Sequence, residues 1–482
     1  MADPIWTLGE AMDATDGRSE GDASAPIAGF SIDSRDVHAG EGFIAIRGPN
    51  RDGHGIVAKA LDAGAACAIV EEAYGGAGAA DDAASRTEGR LNEARLIRVT
   101  DTFDALNDLG RQARERIDHA AIIAVTGSAG KTGTKEALRA ALAPSGTVHA
   151  SAKSFNNHWG VPLTLANTPR DIDYGVYELG MNHAGEISEL TALVRPHIAI
   201  VTTIAPVHLG FFASVEEIAD AKAEIFEGLE PGGAAILNRD NAYFERLAAA
   251  ARRYGASIYS FGEDERAKAR LVECDLTPDG STVTADILGE TITYSIGAPG
   301  RHVVQNTLAV LAAAKLAGAN LKSAAGALAT IEPPEGRGAR IVIQTKDGPI
   351  CLVDESYNAN PASMRAALAT LGLTPREDYK RRIAVLGDML ELGDEGPGLH
   401  RDLAQAIKDA DIDTVFACGE LMSNLFEALP QSCQGAYATT SEDLAPVLLS
   451  SVAPGDIVMV KGSLGSRMGP LIEALKREFD SR

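Results

Sequence analysis

The sequence predicts an α/β protein that is built from three domains. At 482 residues the chain is longer than one hydrophobic core usually supports. Short runs of Val, Ile and Ala alternate with helical patterns along most of it, which is typical of parallel sheets covered by helices on both faces. A linker-like segment at residues 333–336 precedes the last third. We therefore expect a small α/β domain at 1–118, a domain with a parallel central sheet at 119–332, and a second α/β layer at 333–482.

Each domain contains short apolar runs that predict its strands. In the first domain, strands are predicted at 42–46 and 66–70 and a helix at 103–117. In the central domain, buried strands are predicted at 122–125, 174–177, 198–204 and 234–237, antiparallel edge strands at 271–296, and a helix that ends near 316. In the third domain, buried strands are predicted at 350–353, 383–386, 414–417 and 457–460. Polar or small residues follow each strand of the third domain, so the carboxyl ends of these strands are expected to form the edge that binds ligands.

The charge and the cysteine content exclude several classes of protein. A formal net charge of −23 opposes binding to nucleic acid and to anionic membranes. The five cysteines are scattered and lack the spacing of a metal site, which is typical of reduced thiols in a cytosol. No stretch is apolar enough for a membrane span, and no targeting segment is evident. The chain is expected to be cytoplasmic.

A glycine-rich turn follows the first strand of the central domain. The turn reads Gly127, Ser128, Ala129, Gly130, Lys131, Thr132, Gly133. Glycines let backbone N–H groups point at phosphate oxygens, and a helix that begins at the lysine adds its partial positive charge. The lysine would neutralise the terminal phosphates and the threonine would reach Mg²⁺. The sequence therefore predicts an ATP site, although the two glycines are separated by two residues rather than the usual four. The alternative is an ordinary strand-to-helix turn with a surface lysine.

Three residues downstream are candidates for a metal site. Glu178 follows a buried strand, where a carboxylate can ligate a metal ion that bridges a nucleotide and its acceptor. His208 follows the next strand, and Lys222 lies in a predicted helix. The structural alternatives are a carboxylate that caps a turn, a hydrogen-bonded histidine and a solvated lysine.

Several ordered motifs together resemble those of one family. They occupy residues 31–35, 52–54, 154–160, 357–361, 386–393 and 461–463. With the short glycine-rich turn they resemble the Mur ligases of peptidoglycan synthesis, which are ATP-dependent enzymes that form amide bonds. The resemblance covers essentially the whole chain. It implies a central domain like that of P-loop ATPases and a Rossmann-like third domain.

The resemblance also implies roles for individual residues. Lys131 and Thr132 would hold ATP and Mg²⁺, with Glu178, His208 and a carbamylated Lys222 as the other metal ligands. The remaining residues implied for the nucleotide are Gly127, Ser128, Ala129, Gly130, Gly133, Asn306 for adenine, and Arg337 and Glu355 for the phosphates and ribose. The residues implied for the other substrates are Ser34, Arg35, Asn156, Asn157, Asn358 and Asn360. Many relatives carry Asp where this chain has Glu355, which makes the side chain longer by one methylene.

The activity that the resemblance implies is a two-step ligation by a monomer. The terminal carboxylate of a UDP-N-acetylmuramoyl tripeptide, bound by the first domain, would take the γ-phosphoryl group of ATP. The amine of D-alanyl-D-alanine, bound by a third domain that closes over ATP, would then displace phosphate. One alternative is the sister ligase that adds the diamino acid; its arginine-containing Asp-Asn-Pro segment is not found, and residues 358–361 come nearest. Another is a nucleotide-gated binding protein without ligase activity.

Overall fold

The structure, a computed structural model, describes residues 4–48, 52–75, 93–151 and 154–480. Contacts within the chain divide it into two compact units. The first unit comprises Met1–Ala124, Gly146–Met181 and Glu186–His197, and the second comprises Val125–Ser145, Asn182–Gly185 and Ile198–Arg482. Each unit is described by itself.

Strands and helices alternate along most of the described chain. The strands are β1 (Trp6–Thr7), β2 (Pro26–Ile27), β3 (Phe30–Ser31), β4 (Gly42–Ile44), β5 (Cys67–Glu71), β6 (Leu96–Val99), β7 (Ala121–Thr126), β8 (Val148–Ala150), β9 (Tyr174–Glu178), β10 (Ile198–Val201), β11 (Ala234–Asn238), β12 (Ser257–Gly262), β13 (Ala269–Thr277), β14 (Gly280–Ile287), β15 (Glu290–Ile296), β16 (Ala339–Thr345), β17 (Gly348–Glu355), β18 (Arg381–Gly387), β19 (Thr414–Cys418), β20 (Gln434–Ala438) and β21 (Asp456–Lys461). The α-helices are α1 (Leu8–Thr15), α2 (Val57–Asp62), α3 (Thr102–Arg116), α4 (Lys131–Leu142), α5 (Gly160–Ala166), α6 (Glu186–Val194), α7 (Val215–Ala223), α8 (Phe244–Arg253), α9 (Arg301–Leu316), α10 (Leu321–Ala327), α11 (Pro361–Gly372), α12 (Gly396–Arg401), α13 (Leu403–Asp409), α14 (Ser423–Ala428), α15 (Ser441–Ser451) and α16 (Gly469–Asp480).

The first unit contains a parallel sheet in the order β3-β4-β5-β6. Helix α3 begins at a side-chain cap, because the Asp101 carboxylate accepts the N–H groups of Phe103 and Asp104 at 2.7 and 2.9 Å. Its buried face includes Leu106 and Leu109, which are inaccessible to solvent. The parallel pair β8-β9 also belongs to this unit, together with the beginning of β7.

In the second unit, six strands of one sheet lie in the order β15-β14-β13-β12-β11-β10, and β10 lies beside the end of β7. Strands β10 to β13 pair in parallel, whereas β13, β14 and β15 pair antiparallel, as predicted for this edge. The residues of β10 are buried throughout, which explains why this strand has a continuous apolar sequence. It ends at Val201, three residues before the predicted end.

A further sheet of the second unit has the order β16-β17-β21-β18-β19-β20. All neighbours pair in parallel except β16, which forms an antiparallel hairpin with β17. Apolar clusters cover both of its faces, one around Leu386 and Met459 and one around Val385 and Val458. The parallel strands bring their carboxyl ends to one edge of the sheet, as the sequence predicted.

Strands β16 and β20 were not predicted. Their side chains are half exposed along most of each strand, so they lack the continuous apolar run that marks a buried strand. No helix among the described residues is both long and apolar enough to cross a membrane.

Candidate active site

The turn between β7 and α4 requires glycine at two positions. Gly127 has a φ of 146°, and a Cβ atom there would lie 1.9 Å from Thr202 Oγ1. Gly130 has a φ of 82°, and a Cβ atom there would lie 2.6 Å from Asn306 Nδ2. Both the backbone conformation and the close neighbours therefore exclude a larger side chain. The glycines keep open the concave backbone that phosphates would occupy.

The segment that follows β10 fixes the middle of this turn. The Ser128 hydroxyl donates to Ala205 O at 3.1 Å and accepts the Ala205 N–H at 3.0 Å, while the Ser128 N–H donates to Thr203 O at 2.8 Å. The Thr202 hydroxyl donates to Ala129 O at 2.6 Å. These bonds between protein groups fix the conformation of the turn.

Helix α4 begins at the end of the turn with Lys131 and Thr132, two of the predicted site residues. Lys131 Nζ donates to Gly127 O at 2.8 Å, so the ammonium group folds back over the turn. Thr132 is 5% exposed. The amino-terminal end of a helix carries partial positive charge, and the lysine adds a full one. This arrangement fits the phosphates of a nucleotide.

Burial and nearby positive charge lower the pKa values of Lys222 and His208, two basic side chains near this turn. Lys222, on α7, is 1% exposed, and its pKa lies well below the usual lysine value because burial removes its solvation and Lys131 adds a nearby positive charge. Burial also lowers the pKa of His208, and Lys222 and Lys131 act in the same direction. The hydrogen bond to Glu391 opposes the shift in the pKa of His208.

A carboxylate from the neighbouring sheet contacts this region. Glu391 lies in the loop after β18, and its Oε2 lies 2.6 Å from His208 Nδ1. The backbones of the two segments also meet, because the Gly210 N–H donates to Glu391 O at 2.9 Å. Glu391 is thus joined to a predicted metal ligand by its side chain and to the same segment by its main chain.

In the first unit, Glu178 ends β9 and is 1% exposed. Its Oε1 accepts a hydrogen bond from Asn156 Nδ2 at 2.7 Å, and the Gly180 N–H donates to Asn156 O at 2.7 Å. Asn157 caps α5, since its Oδ1 accepts the Gly160 N–H at 2.9 Å. The predicted residues Asn156 and Glu178 therefore meet, whereas Asn157 orients the helix that follows.

Other predicted residues lie at the polar edge of the sheet β16–β21, where the carboxyl ends of its parallel strands meet. Lys461 is buried, and its Nζ lies 2.8 Å from Glu355 Oε2 and donates to Asn358 O at 3.0 Å. The guanidinium of Arg337 lies 4.2 Å from the centre of the Tyr357 ring. The structure thus brings Glu355 and Asn358 together around one buried ammonium group.

Two asparagines connect this edge and α9 with the glycine-rich turn. Asn360 caps α11, because its Oδ1 accepts the Ser363 N–H at 2.9 Å, and its Nδ2 donates to Ser128 O at 3.4 Å. Asn306 lies against Gly130, as the close approach described above shows. Asn306, which was predicted to bind the nucleotide, and Asn360, which was predicted to bind another substrate, therefore both lie beside the turn.

The two residues predicted for the UDP-sugar lie in the loop after β3. Ser34 is 8% exposed, whereas the Arg35 side chain is largely exposed. Arg35 Nε donates to Asp33 Oδ1 at 2.9 Å, and the Asp33 N–H donates to the Ser31 hydroxyl at 3.1 Å. The loop presents Arg35 to solvent, where a guanidinium can reach an anionic ligand.

Among the described residues, no three His, Cys, Asp or Glu side chains are grouped so that they could hold a metal ion. The predicted metal ligands Thr132 and Lys222 are not of these types. Lys222 would supply oxygen ligands only after reaction with carbon dioxide.

Sequence reasoning assigned no role to Glu391 or to Lys461, although both lie in motifs that it singled out. A signal was present for Lys461, because a lysine directly after a run of buried strand residues needs a carboxylate partner. For Glu391 no local signal exists, since its partner His208 is 183 residues away in the sequence.

Models of three domains match successive stretches of the chain. The model described as "Mur ligase family, catalytic domain" matches residues 26–114, "Mur ligase middle domain" matches residues 125–314, and "Mur ligase, glutamate ligase domain" matches residues 339–464.

Relatives of nearly the same length are similar along the whole chain. The UDP-N-acetylmuramoyl-tripeptide--D-alanyl-D-alanine ligase of Rickettsia prowazekii is 33% identical over 444 residues, which are 92% of this chain and 94% of that protein. The protein of the same name from Escherichia coli K12 is 31% identical over 475 residues, 98% of each chain. A crystal structure of MurF from Acinetobacter baumannii is similar with a TM-score of 0.83 and 29% identity, covering 99% of this chain and 100% of that one.

Proposed function

Because this chain belongs to the Mur ligase family, we propose that its glycine-rich turn and the residues around it make an acyl phosphate and convert it to an amide. The chain is an ATP-dependent ligase with the three-domain architecture of that family. It adds D-alanyl-D-alanine to a UDP-N-acetylmuramoyl tripeptide in peptidoglycan synthesis. The observation that carries the assignment is identity along nearly the full length of relatives with this one name.

The first step forms a bond between a carboxylate oxygen of the tripeptide and the γ-phosphorus of ATP, and ADP leaves. The amine of the dipeptide then attacks the carbonyl carbon and phosphate leaves with the electron pair of the broken C–O bond. Lys131 stabilises the negative charge on the transferred group, and the N–H groups of the turn orient the phosphates. The prearranged turn supports this role, because most of the catalysis of phosphoryl transfer is positioning and charge stabilisation.

Thr132, Glu178, His208 and Lys222 are the proposed ligands of Mg²⁺. The metal ion would neutralise charge on the phosphates. A hydroxyl and a buried carboxylate fit its preference for oxygen. Lys222 fits only as a carbamate, in which the neutral amine has formed a C–N bond to carbon dioxide and lost a proton. Its lowered pKa supports this reaction, since the amine must be uncharged to attack.

A carbamate on Lys222 can be tested directly. Protein equilibrated with ¹³C-bicarbonate should give a carbamate carbon signal that is absent from Lys222→Ala. That variant should lose most of its activity, and short carboxylic acids should restore part of it. A wild-type protein that is fully active in carbon-dioxide-free buffer and shows no carbamate signal would contradict the proposal.

Other residues are proposed to bind the three substrates. Asn306, Arg337 and Glu355 bind ATP; their placement by the glycine-rich turn or at the polar sheet edge supports this. Ser34 and Arg35 are proposed for the UDP-sugar substrate. The other residues proposed for the peptide substrates are Asn156, Asn157, Asn358 and Asn360.

The proposed domains are 1–118 for the UDP-sugar, 119–332 for ATP, and 333–482 for the dipeptide. We propose that the enzyme works as a monomer in the cytoplasm. All five cysteines are free thiols, which supports a reducing compartment.

A coupled phosphate-release assay tests the function. ATP, D-alanyl-D-alanine and a UDP-N-acetylmuramoyl tripeptide that ends in either lysine or diaminopimelate should together release phosphate. Omission of the dipeptide should abolish product formation. A sister ligase would instead use the dipeptide nucleotide with a free diamino acid, and a nucleotide-gated binding protein would bind ATP and release no phosphate with either tripeptide.

A further inference from the structure

Glu391 and His208 form a two-point contact between two segments of the second unit. One point is the bond between His208 Nδ1 and Glu391 Oε2, at 2.6 Å. The other is the main-chain bond from the Gly210 N–H to Glu391 O, at 2.9 Å. Two bonds of different kinds fix the position and the orientation of the carboxylate relative to the imidazole.

Both residues have an unusual backbone conformation. The φ angle is 56° for His208 and 64° for Glu391, in the left-handed region that side chains other than glycine rarely adopt. A residue in this conformation persists only where its surroundings enforce it. Gly393 has a φ of 56°, and a Cβ atom there would lie 3.2 Å from Leu209 O. The two turns therefore face each other at close range in matched conformations.

The chemistry of the pair fixes the tautomer of the histidine. An ionised carboxylate only accepts hydrogen bonds, so Nδ1 carries the proton and Nε2 is left as the nitrogen with a lone pair. A carboxylate partner also raises the basicity of the opposite nitrogen and orients the ring. Histidines that bind metal ions commonly donate their second N–H in this way.

We propose that Glu391 is a positioning residue that prepares His208 Nε2 to bind the metal ion, and that it thereby makes the metal site depend on contact with the sheet β16–β21. The inference rests on the proposed function, in which His208 is a metal ligand. Glu391 lies in a loop of the same sheet in which β17 ends at Glu355 and is followed by Asn358. Glu355 and Asn358 therefore reach their positions together with the carboxylate partner of His208.

The test measures metal binding apart from turnover. Mn²⁺ affinity is determined by electron paramagnetic resonance with a non-hydrolysable ATP analogue present, for the wild type, Glu391→Gln and Glu391→Ala. Loss of an outer carboxylate typically weakens metal binding about 10- to 100-fold, and we expect that range for Glu391→Ala. The Mn²⁺ affinity of Glu391→Gln should lie between those of the wild type and Glu391→Ala, because the glutamine retains a hydrogen-bond acceptor without the charge. In assays, both variants should need more Mg²⁺ for half-maximal rate, and Mn²⁺ should relieve part of the defect.

Asp394→Asn is the matched control, since Asp394 is an exposed acid three residues further along the same loop. It should bind Mn²⁺ as the wild type does. Wild-type affinity in both Glu391 variants would overturn the inference. His208→Ala separates this failure from that of the proposed metal site: it should weaken Mn²⁺ binding at least as much, and a His208→Ala protein with unchanged affinity would remove His208 itself from the set of ligands.

Discussion

Lys131 occupies a position that is compatible with the role predicted for it. The sequence assigned it to the terminal phosphates of ATP, and the structure folds its ammonium group over the glycine-rich turn, 2.8 Å from Gly127 O. The carbonyl oxygen that it contacts is a neutral hydrogen-bond acceptor. A bound phosphate would compete well for that ammonium group.

We expect Lys131→Ala to lower kcat about 10²- to 10³-fold, as is typical when one group that stabilises developing charge is removed. The melting temperature should stay close to that of the wild type, because the side chain packs over a turn rather than in a core. Phosphate release under saturating substrates and thermal denaturation are the two measurements. Lys322→Ala, at an exposed position on α10, serves as the control for loss of a lysine. Near-normal turnover in Lys131→Ala would remove this residue from catalysis.

The contacts of single residues also show what could not be predicted from the sequence. The nucleotide role predicted for Glu355 came from the family resemblance, and its position after a predicted strand placed it at the polar edge of the sheet. Its partner Lys461 lies on β21, and β17 and β21 become neighbours only when the sheet forms. The same holds for Glu391 and His208. Local patterns locate functional side chains, but the pairs that they form depend on which strands become neighbours.

At the scale of elements, the turn and helix α4 give a contrast between two glycines. Gly130→Ala places a Cβ atom 2.6 Å from Asn306 Nδ2 at a φ of 82°. It should lower the free energy of unfolding by about 1–2 kcal/mol and weaken ATP binding. Gly133 lies inside α4 with no neighbouring atom within 4 Å of a new Cβ. Gly133→Ala should therefore raise stability by about 1 kcal/mol. Chemical denaturation of both variants measures the difference, and equal effects would contradict the conformational argument.

The loop after β18 is anchored by a buried neutral histidine. His400 Nε2 accepts the Met389 N–H at 2.9 Å and Nδ1 donates to Gly396 O at 2.7 Å. Burial lowers the pKa of His400 below its usual value. The unfolded chain then binds more protons than the folded one between the two pKa values, so stability falls as the pH drops below about 6.5.

We expect the wild type to lose more stability between pH 7 and pH 5 than His400→Gln, whose amide does not titrate. Each unit by which the pKa is lowered contributes about 1.4 kcal/mol to this loss. Urea denaturation of both proteins at a series of pH values measures it. Parallel curves for the two proteins would show that His400 does not titrate on unfolding.

The strands differ in how well their sequences revealed them. Strand β18 is buried almost throughout and was predicted from its apolar run, whereas β20 alternates between half-buried and exposed residues and was missed. The antiparallel strands β13 to β15 were found because turn residues separate them. Edge strands whose residues are mostly half exposed, such as β16 and β20, carry the weakest pattern.

At the scale of the whole molecule, the proposed ATP site includes residues of two sheets of the second unit. Asn360 Nδ2 already reaches Ser128 O, at 3.4 Å, which is a long hydrogen bond and a weak one. Contacts between domains are commonly small and polar, so an open state is expected to be accessible without ligands. ATP and the dipeptide would favour the closed state through their additional contacts with it.

Small-angle scattering should show a radius of gyration that decreases in steps, from the protein alone to the protein with a non-hydrolysable ATP analogue and then with all ligands. Glu391→Ala should need more ligand to reach the final value, because it removes one of the contacts between the segments. The same radius of gyration in all three samples, equal to that calculated for a closed state, would remove closure from the mechanism.

Strands β13, β14 and β15 lie at one end of a sheet of the second unit. Their sequence affects whether the protein aggregates at high concentration. Strand β15 is the terminal strand, and such strands are templates for pairing with another chain. Its buried residues Tyr294 and Ile296 alternate with the exposed Thr293 and Ser295. The exposed side chains of β15 are polar and short. The Thr293 hydroxyl is hydrogen-bonded to the Thr284 hydroxyl on β14 at 3.0 Å. A hairpin with this pattern protects the more aggregation-prone apolar strands behind it from intermolecular β-pairing.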